Sequence, residues 1–147
     1  MGENASSESR KVERWLESAL DSVDEAERLA EEMAQELGFP EDDLHKIGMA
    51  VRESMVNAVV HGNRYNGRKK VHLTVTAGPD RLAITIGDEG EGFDLSALPD
   101  PLAEQNLLHQ SGRGIFLIRA FMDEFEVRRL VPGGTEVKLV KYLEKKQ

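Results

Sequence analysis

At 147 residues and 16.4 kDa the chain has the length of one domain. It contains no cysteine, which excludes disulfides, thiolate zinc sites and a cysteine nucleophile, and makes a reducing cytoplasm the simplest compartment. Nineteen basic against 27 acidic residues leave a net charge of −8, a poor match for nucleic acid, and no apolar run reaches the ~18 residues a spanning helix needs. The acidity is uneven. Residues 1–40 hold eleven acids and four bases, a pattern that reads either as a solvated helix face or as a docking surface for a basic partner.

Residues 1–9 are polar, rich in Ser and Glu, and expected to be disordered; residues 10–147 are expected to form a single domain. In residues 10–20, Val12, Trp15, Leu16, Ala19 and Leu20 fit neither the period of a strand nor that of a helix. Ser22 and Glu25 then make a capping-box pair, with Ala26, Leu29, Ala30, Met33 and Leu37 at helical spacing behind it and Gly38 as the stop. A second helix is predicted from after Pro40 to about Val60, its first turn loaded with Glu41, Asp42 and Asp43. Residues 61–67 read as a loop. Alternation predicts strands at 71–76 and 81–86, joined by a turn at Gly78-Pro79-Asp80. After a glycine-rich turn, a polar stretch carries Pro99 and Pro101; a third helix at about 115–122 leads to strands at 124–130 and 135–142. Helices alternating with antiparallel hairpins predict an α+β two-layer sandwich with helices to one side.

Three features carry chemistry. Glu53 and Asn57 stand four apart in a largely apolar helix, so they share one face. A carboxylate there is either held by a hydrogen bond or an Arg52 ion pair, or serves as a base beside an amide oxygen suited to Mg²⁺. Asp88-Glu89-Gly90-Glu91-Gly92 follows a strand directly, and its glycines allow close approach of a ligand or simply a turn. Ser111-Gly112-Arg113-Gly114 opens the third helix, where free N–H groups make a phosphate seat or an ordinary helix entry.

Taken in that order, the three motifs resemble the GHKL ATPase superfamily, and more narrowly the small bacterial anti-sigma-factor serine/threonine kinases. The most specific stretches are ESMVNAVVHGN from Glu53 to Asn63 and SGRGIFLIRAFMD from Ser111 to Asp123. The resemblance implies a mixed, mostly antiparallel sheet whose first strand lies near Lys11–Glu17. It implies Glu53 as general base, Asn57 as the ligand of an ATP-bound Mg²⁺, and Asp88 as the reader of the adenine amino group. Gly90 and Gly92 then pack against the nucleotide, residues of about 94–111 form a lid, and Gly112, Arg113 and Gly114 hold phosphates. Thr135 adds a polar contact on the adenine side. The family's lid motif often has an arginine before its Ser-Gly, where His109 and Gln110 stand here; Arg113 is the charge available to replace it.

The activity implied is ATP- and Mg-dependent phosphorylation of an anti-sigma-factor antagonist by a kinase that also binds a sigma factor, working as a cytoplasmic homodimer without direct nucleic-acid or membrane contact. The alternative is a nucleotide-sensing binding module with little or no transfer activity. A detached histidine-kinase catalytic domain fits less well, because His45, His61, His72 and His109 do not stand where a phosphoacceptor helix needs one.

Overall fold

In the computed structural model, which describes residues 10–90, 110–131 and 133–144 (the side chains of 110–113 excepted), five strands accompany three α-helices. The predicted disordered start, Gly92 and the lid as far as residue 109 lie outside the described residues. Strand β1 (Arg10–Glu17) is followed by helices α1 (Leu20–Leu37) and α2 (Glu41–Val56), and α2 widens into a π-helical turn at Asn57–Gly62. Strands β2 (Lys70–Ala77) and β3 (Arg81–Gly87) form a hairpin. Helix α3 (Gln110–Phe121) precedes the hairpin of β4 (Glu124–Arg129) and β5 (Thr135–Tyr142).

The strand order is β1-β2-β3-β5-β4, and every neighbouring pair is antiparallel. The mixed pairing implied by the resemblance reduces to antiparallel pairing among the described residues. Two successive helices return the chain between β1 and β2, so the second strand runs opposite to the first. One face of the sheet sends Val71, Leu73, Val75, Leu82, Ile84, Ile86 and Leu139 into a core closed by Val23, Ile47, Val51, Met55 and Ile118 from the helices. At about 25 cal/mol per Å² of apolar surface removed from water, this layer is the main source of stability.

Helix α1 ends as its sequence predicts. Gly38 takes φ 106°, its N–H reaches the Ala34 and Gln35 carbonyls at 3.1 Å each, and the Phe39 N–H closes on Ala34 at 3.1 Å. Its start differs from the predicted capping box. The helix begins at Leu20 with Ala19 at the cap and no side-chain cap bond, and Ser22 is buried within the first turn. Helix α2 starts at Glu41 after Pro40, as expected. Gly48 lets it approach α1 closely, since any side chain there would overlap the Glu31 carboxylate. Helix α3 begins at Gln110, so the Gly112–Gly114 motif lies inside the helix rather than ahead of it.

Candidate active site

The π-helical turn organises the site. A π turn adds a residue to the helical repeat and is frequently found at functional positions. Here Asn57 opens it, Gly62 closes it, and the Asn63 N–H bonds back to the Ala58 carbonyl at 2.8 Å. Glu53 lies one helical turn before Asn57.

Glu53 is half-buried, and Asn57 is 7% exposed. The sequence left Arg52 open as an ion-pair partner for Glu53; instead Arg52 bonds Asp24 and Glu27 of α1 at 2.8 Å each. Among the described residues no ion pair or side-chain hydrogen bond engages Glu53 or the Asn57 amide. Gly114 of α3 faces Glu53 directly, because a Cβ at that glycine would lie 3.1 Å from Glu53 Oε2. The glycine motif and the carboxylate are therefore brought together with no side chain between them. No group of three or more His, Asp or Glu suited to a metal occurs among the described residues.

At the other end of the π turn stands Asp88, just past β3 and 3% exposed. Its Oδ1 accepts the N–H groups of Gly90 at 3.0 Å and Thr135 at 3.3 Å, and its own N–H donates to the Thr135 carbonyl at 2.9 Å. Oδ2 accepts no hydrogen bond among the described residues and stays available to an amino group. Burial pushes the Asp88 carboxyl above the usual range, against the pull of the two N–H groups and the nearby Lys69 charge. Gly62 packs against this carboxylate so closely that a methyl group would overlap it. Gly90 is pressed equally close to the Gly62 carbonyl. Gly134, at φ 111°, lies against the Asp88 carbonyl. Thr135 is fully buried beside them.

Asn63 is 2% exposed and ties three segments together. Its amide donates to Ser18 Oγ at 2.9 Å and to the Lys70 carbonyl at 3.0 Å, and its oxygen accepts the Glu89 N–H at 2.8 Å. Ser18 in turn donates to the Lys69 carbonyl at 2.6 Å. No role for Gly62, Asn63, Ser18 or Gly134 follows from the sequence pattern alone. The first two ended the ESMVNAVVHGN stretch, and a Gly-Asn pair closing an apolar helix was the available signal. Glu53, Asn57, Gly114, Asp88, Gly90 and Thr135 thus gather along one π turn and the strand ends beside it; Gly112 and Arg113 belong to the first turn of α3.

Residues 16–141 match the family described as histidine kinase-like ATPase domain. The serine-protein kinase RsbW of Staphylococcus epidermidis is 33% identical over 117 residues, covering 75% of this chain and 72% of that protein. The anti-sigma F factor of Bacillus subtilis is 35% identical over 106 residues, covering 71% and 73%. A solved structure of the RsbU and RsbW domains of a Mycobacterium tuberculosis protein superposes with a TM-score of 0.67 at 18% identity. It covers 93% of this chain and 33% of that longer one, a likeness of fold.

Proposed function

This chain belongs to the histidine kinase-like ATPase domain family, and we propose that it is an ATP-dependent serine/threonine protein kinase and anti-sigma factor. It phosphorylates an anti-sigma-factor antagonist and binds a sigma factor, so that partners switch with the antagonist's phosphorylation state, and it works as a homodimer. Support comes from relatives of about a third identity over most of the chain, a serine-protein kinase and an anti-sigma factor. The observation that carries the reading is the single π turn with Glu53 and Asn57 at one end and the buried Asp88 at the other.

Each residue then has work suited to its surroundings. Asp88 uses Oδ2 to accept the adenine amino group, a selection for ATP over GTP, whose ring presents a carbonyl at that position. Gly62, Gly90 and Thr135 shape the wall around that contact. Asn57 would hold Mg²⁺ together with the phosphates, and the ion would supply positive charge to the triphosphate. Gly112 and Arg113 lie in the first turn of α3, where helix N–H groups and the helix N-terminus suit the phosphates and Arg113 adds a positive charge, while Gly114 keeps the space between α3 and Glu53 open. Glu53 accepts the proton of the attacking serine or threonine hydroxyl as oxygen bonds to the γ-phosphorus and ADP leaves with the electron pair. Phosphoryl transfer depends on positioning and charge more than covalent help, so this small set of groups is sufficient.

The test is phosphate incorporation into an antagonist protein from γ-labelled ATP, comparing wild type with Glu53→Gln. Loss of at least about 100-fold in transfer with ATP binding retained is expected of a general base. Full transfer by Glu53→Gln would remove Glu53 from the mechanism. ATP binding without any transfer by wild type would replace the kinase with a nucleotide-sensing module.

A further inference from the structure

Strands β2 and β3 pair from Ala77↔Leu82 to His72↔Gly87, and the turn joining them bonds the Gly78 N–H to the Arg81 carbonyl at 2.9 Å. Bonded rungs of an antiparallel ladder recur at every second residue. Continued from Gly78–Arg81, the bonded rung after His72–Gly87 joins Lys70 to Glu89, one residue past Asp88. That rung is not made directly. The Asn63 carboxamide stands in it: its nitrogen donates to the Lys70 carbonyl at 3.0 Å and its oxygen accepts the Glu89 N–H at 2.8 Å. The other half is filled by the Glu89 side chain, whose Oε2 accepts the Lys70 N–H at 2.7 Å. Two side chains thus take the place of two backbone bonds. A carboxamide with a hydrogen bond at each end spans what one bond of ~2.9 Å spans in a closed ladder.

On its other side β3 keeps ordinary ladder bonding. The Asp88 N–H reaches the Thr135 carbonyl at 2.9 Å, in register with the Gly87↔Glu136 pair. The end of β3 is therefore drawn to β5 by a direct bond and held off β2 by a spacer. Asn63 follows the π turn immediately, and so brings Gly62 into the opened side, against the Asp88 carboxylate. Asn63 is buried, whereas Glu89 is exposed. A buried side chain that serves a backbone donor and a backbone acceptor at once cannot be removed quietly. Either both groups lose their partner, or the strands close on each other and carry Asp88 with them.

We propose that Asn63, with Glu89 completing the rung, is the positioning residue that sets nucleotide specificity: it holds the β2–β3 ladder open so that Asp88 Oδ2 meets the 6-amino group of adenine. The inference rests on the adenine-reading role given to Asp88 above and adds what aims that carboxylate. Asn63 and Glu89 act through the strand end that carries Asp88, not by touching the nucleotide.

The experiment measures binding of ATP and of purine riboside triphosphate, which differs from ATP only in having hydrogen in place of the 6-amino group, both with Mg²⁺. The full chain is compared by calorimetry as wild type, Asn63→Ala, Glu89→Ala and Ser18→Ala, with a thermal melt of each. Ser18→Ala also takes a bond from Asn63 but leaves the bridge between Lys70 and Glu89 in place. Wild type is expected to prefer ATP at least about 10-fold. Asn63→Ala is expected to bring the two affinities within about threefold of each other, Glu89→Ala to lower the preference at least about threefold, and Ser18→Ala to keep it. A purely structural residue would weaken both nucleotides alike and leave their ratio unmoved. Glu89→Ala removes an exposed side chain, so it carries the test even if Asn63→Ala does not fold. Full preference retained in Asn63→Ala or in Glu89→Ala, or lost equally in Ser18→Ala, overturns the positioning role and leaves the Asp88 reading standing. A wild type that binds both nucleotides equally, or neither, overturns the Asp88 reading and this inference with it.

Discussion

Burying the Asp88 carboxylate works against folding, and only two backbone N–H groups and the Lys69 charge offset it. Its folded pKa is raised, so between the ordinary aspartate range and that raised value the folded chain binds more protons than the unfolded one. Stability therefore falls as pH rises through this window and is regained on acidification. Asp88→Asn keeps an oxygen for both N–H groups and carries no charge. We expect it to flatten that slope in thermal melts across pH and to leave the melting temperature at neutral pH unchanged or higher. On the role proposed for Asp88, the same change removes a charge-assisted hydrogen bond of ~1.5–3 kcal/mol to adenine, and roughly a 10- to 150-fold loss of ATP affinity is expected. A variant that loses stability and binding together would mean that Asp88 is a structural residue. Gly62→Ala places a methyl group into the Asp88 carboxylate, and overpacking of ~1–3 kcal/mol with weakened ATP binding is expected by calorimetry. Glu53, Asn57 and Asp88 were legible in the sequence because acids and amides stand out against apolar surroundings. Gly62 and Asn63 were not, because their importance lies in what touches them from segments distant in the chain.

At the scale of elements, the approach of α3 to α2 sets Gly114 beside Glu53, and on the proposed reading it decides whether the phosphate end of the site is complete. Gly114→Ala puts a Cβ 3.1 Å from Glu53 Oε2, tight enough to displace the carboxylate. The expected outcome is a fall in kcat with ATP affinity held within about threefold; an unchanged kcat would show that the glycine is needed only for packing. Gly38 belongs to a different part of the fold. At φ 106° an alanine there costs about 1 kcal/mol with no effect on nucleotide binding, which a thermal melt and calorimetry together check. Most elements follow directly from periodicity, notably the β2–β3 hairpin and β5. Strand β1 did not, for a visible reason: only Val12 and Leu16 turn to the core, while Trp15 occupies the opposite face and blurs the alternation. The capping box failed because β1 runs into α1 with only Ser18 and Ala19 between them, which moves the helix start ahead of Ser22. The π turn has no simple sequence signature, since ESMVNAVVHGN continues the apolar pattern of an ordinary helix.

The whole molecule is divided by its sheet. The helix side holds the acidic surface and the residues gathered around the π turn; the open side is neutral and grooved. No helix among the described residues is long and apolar enough to cross a membrane. The central claim is that one π turn joins an adenine-reading carboxylate to a phosphate-handling end. Its most direct test is calorimetry of ATP binding to wild type and Asp88→Asn, with and without Mg²⁺. Mg-dependent binding of ATP by wild type, lost or weakened at least about 10-fold in the variant, is the result predicted here. Absence of binding in wild type, or equal binding by both proteins, would contradict it.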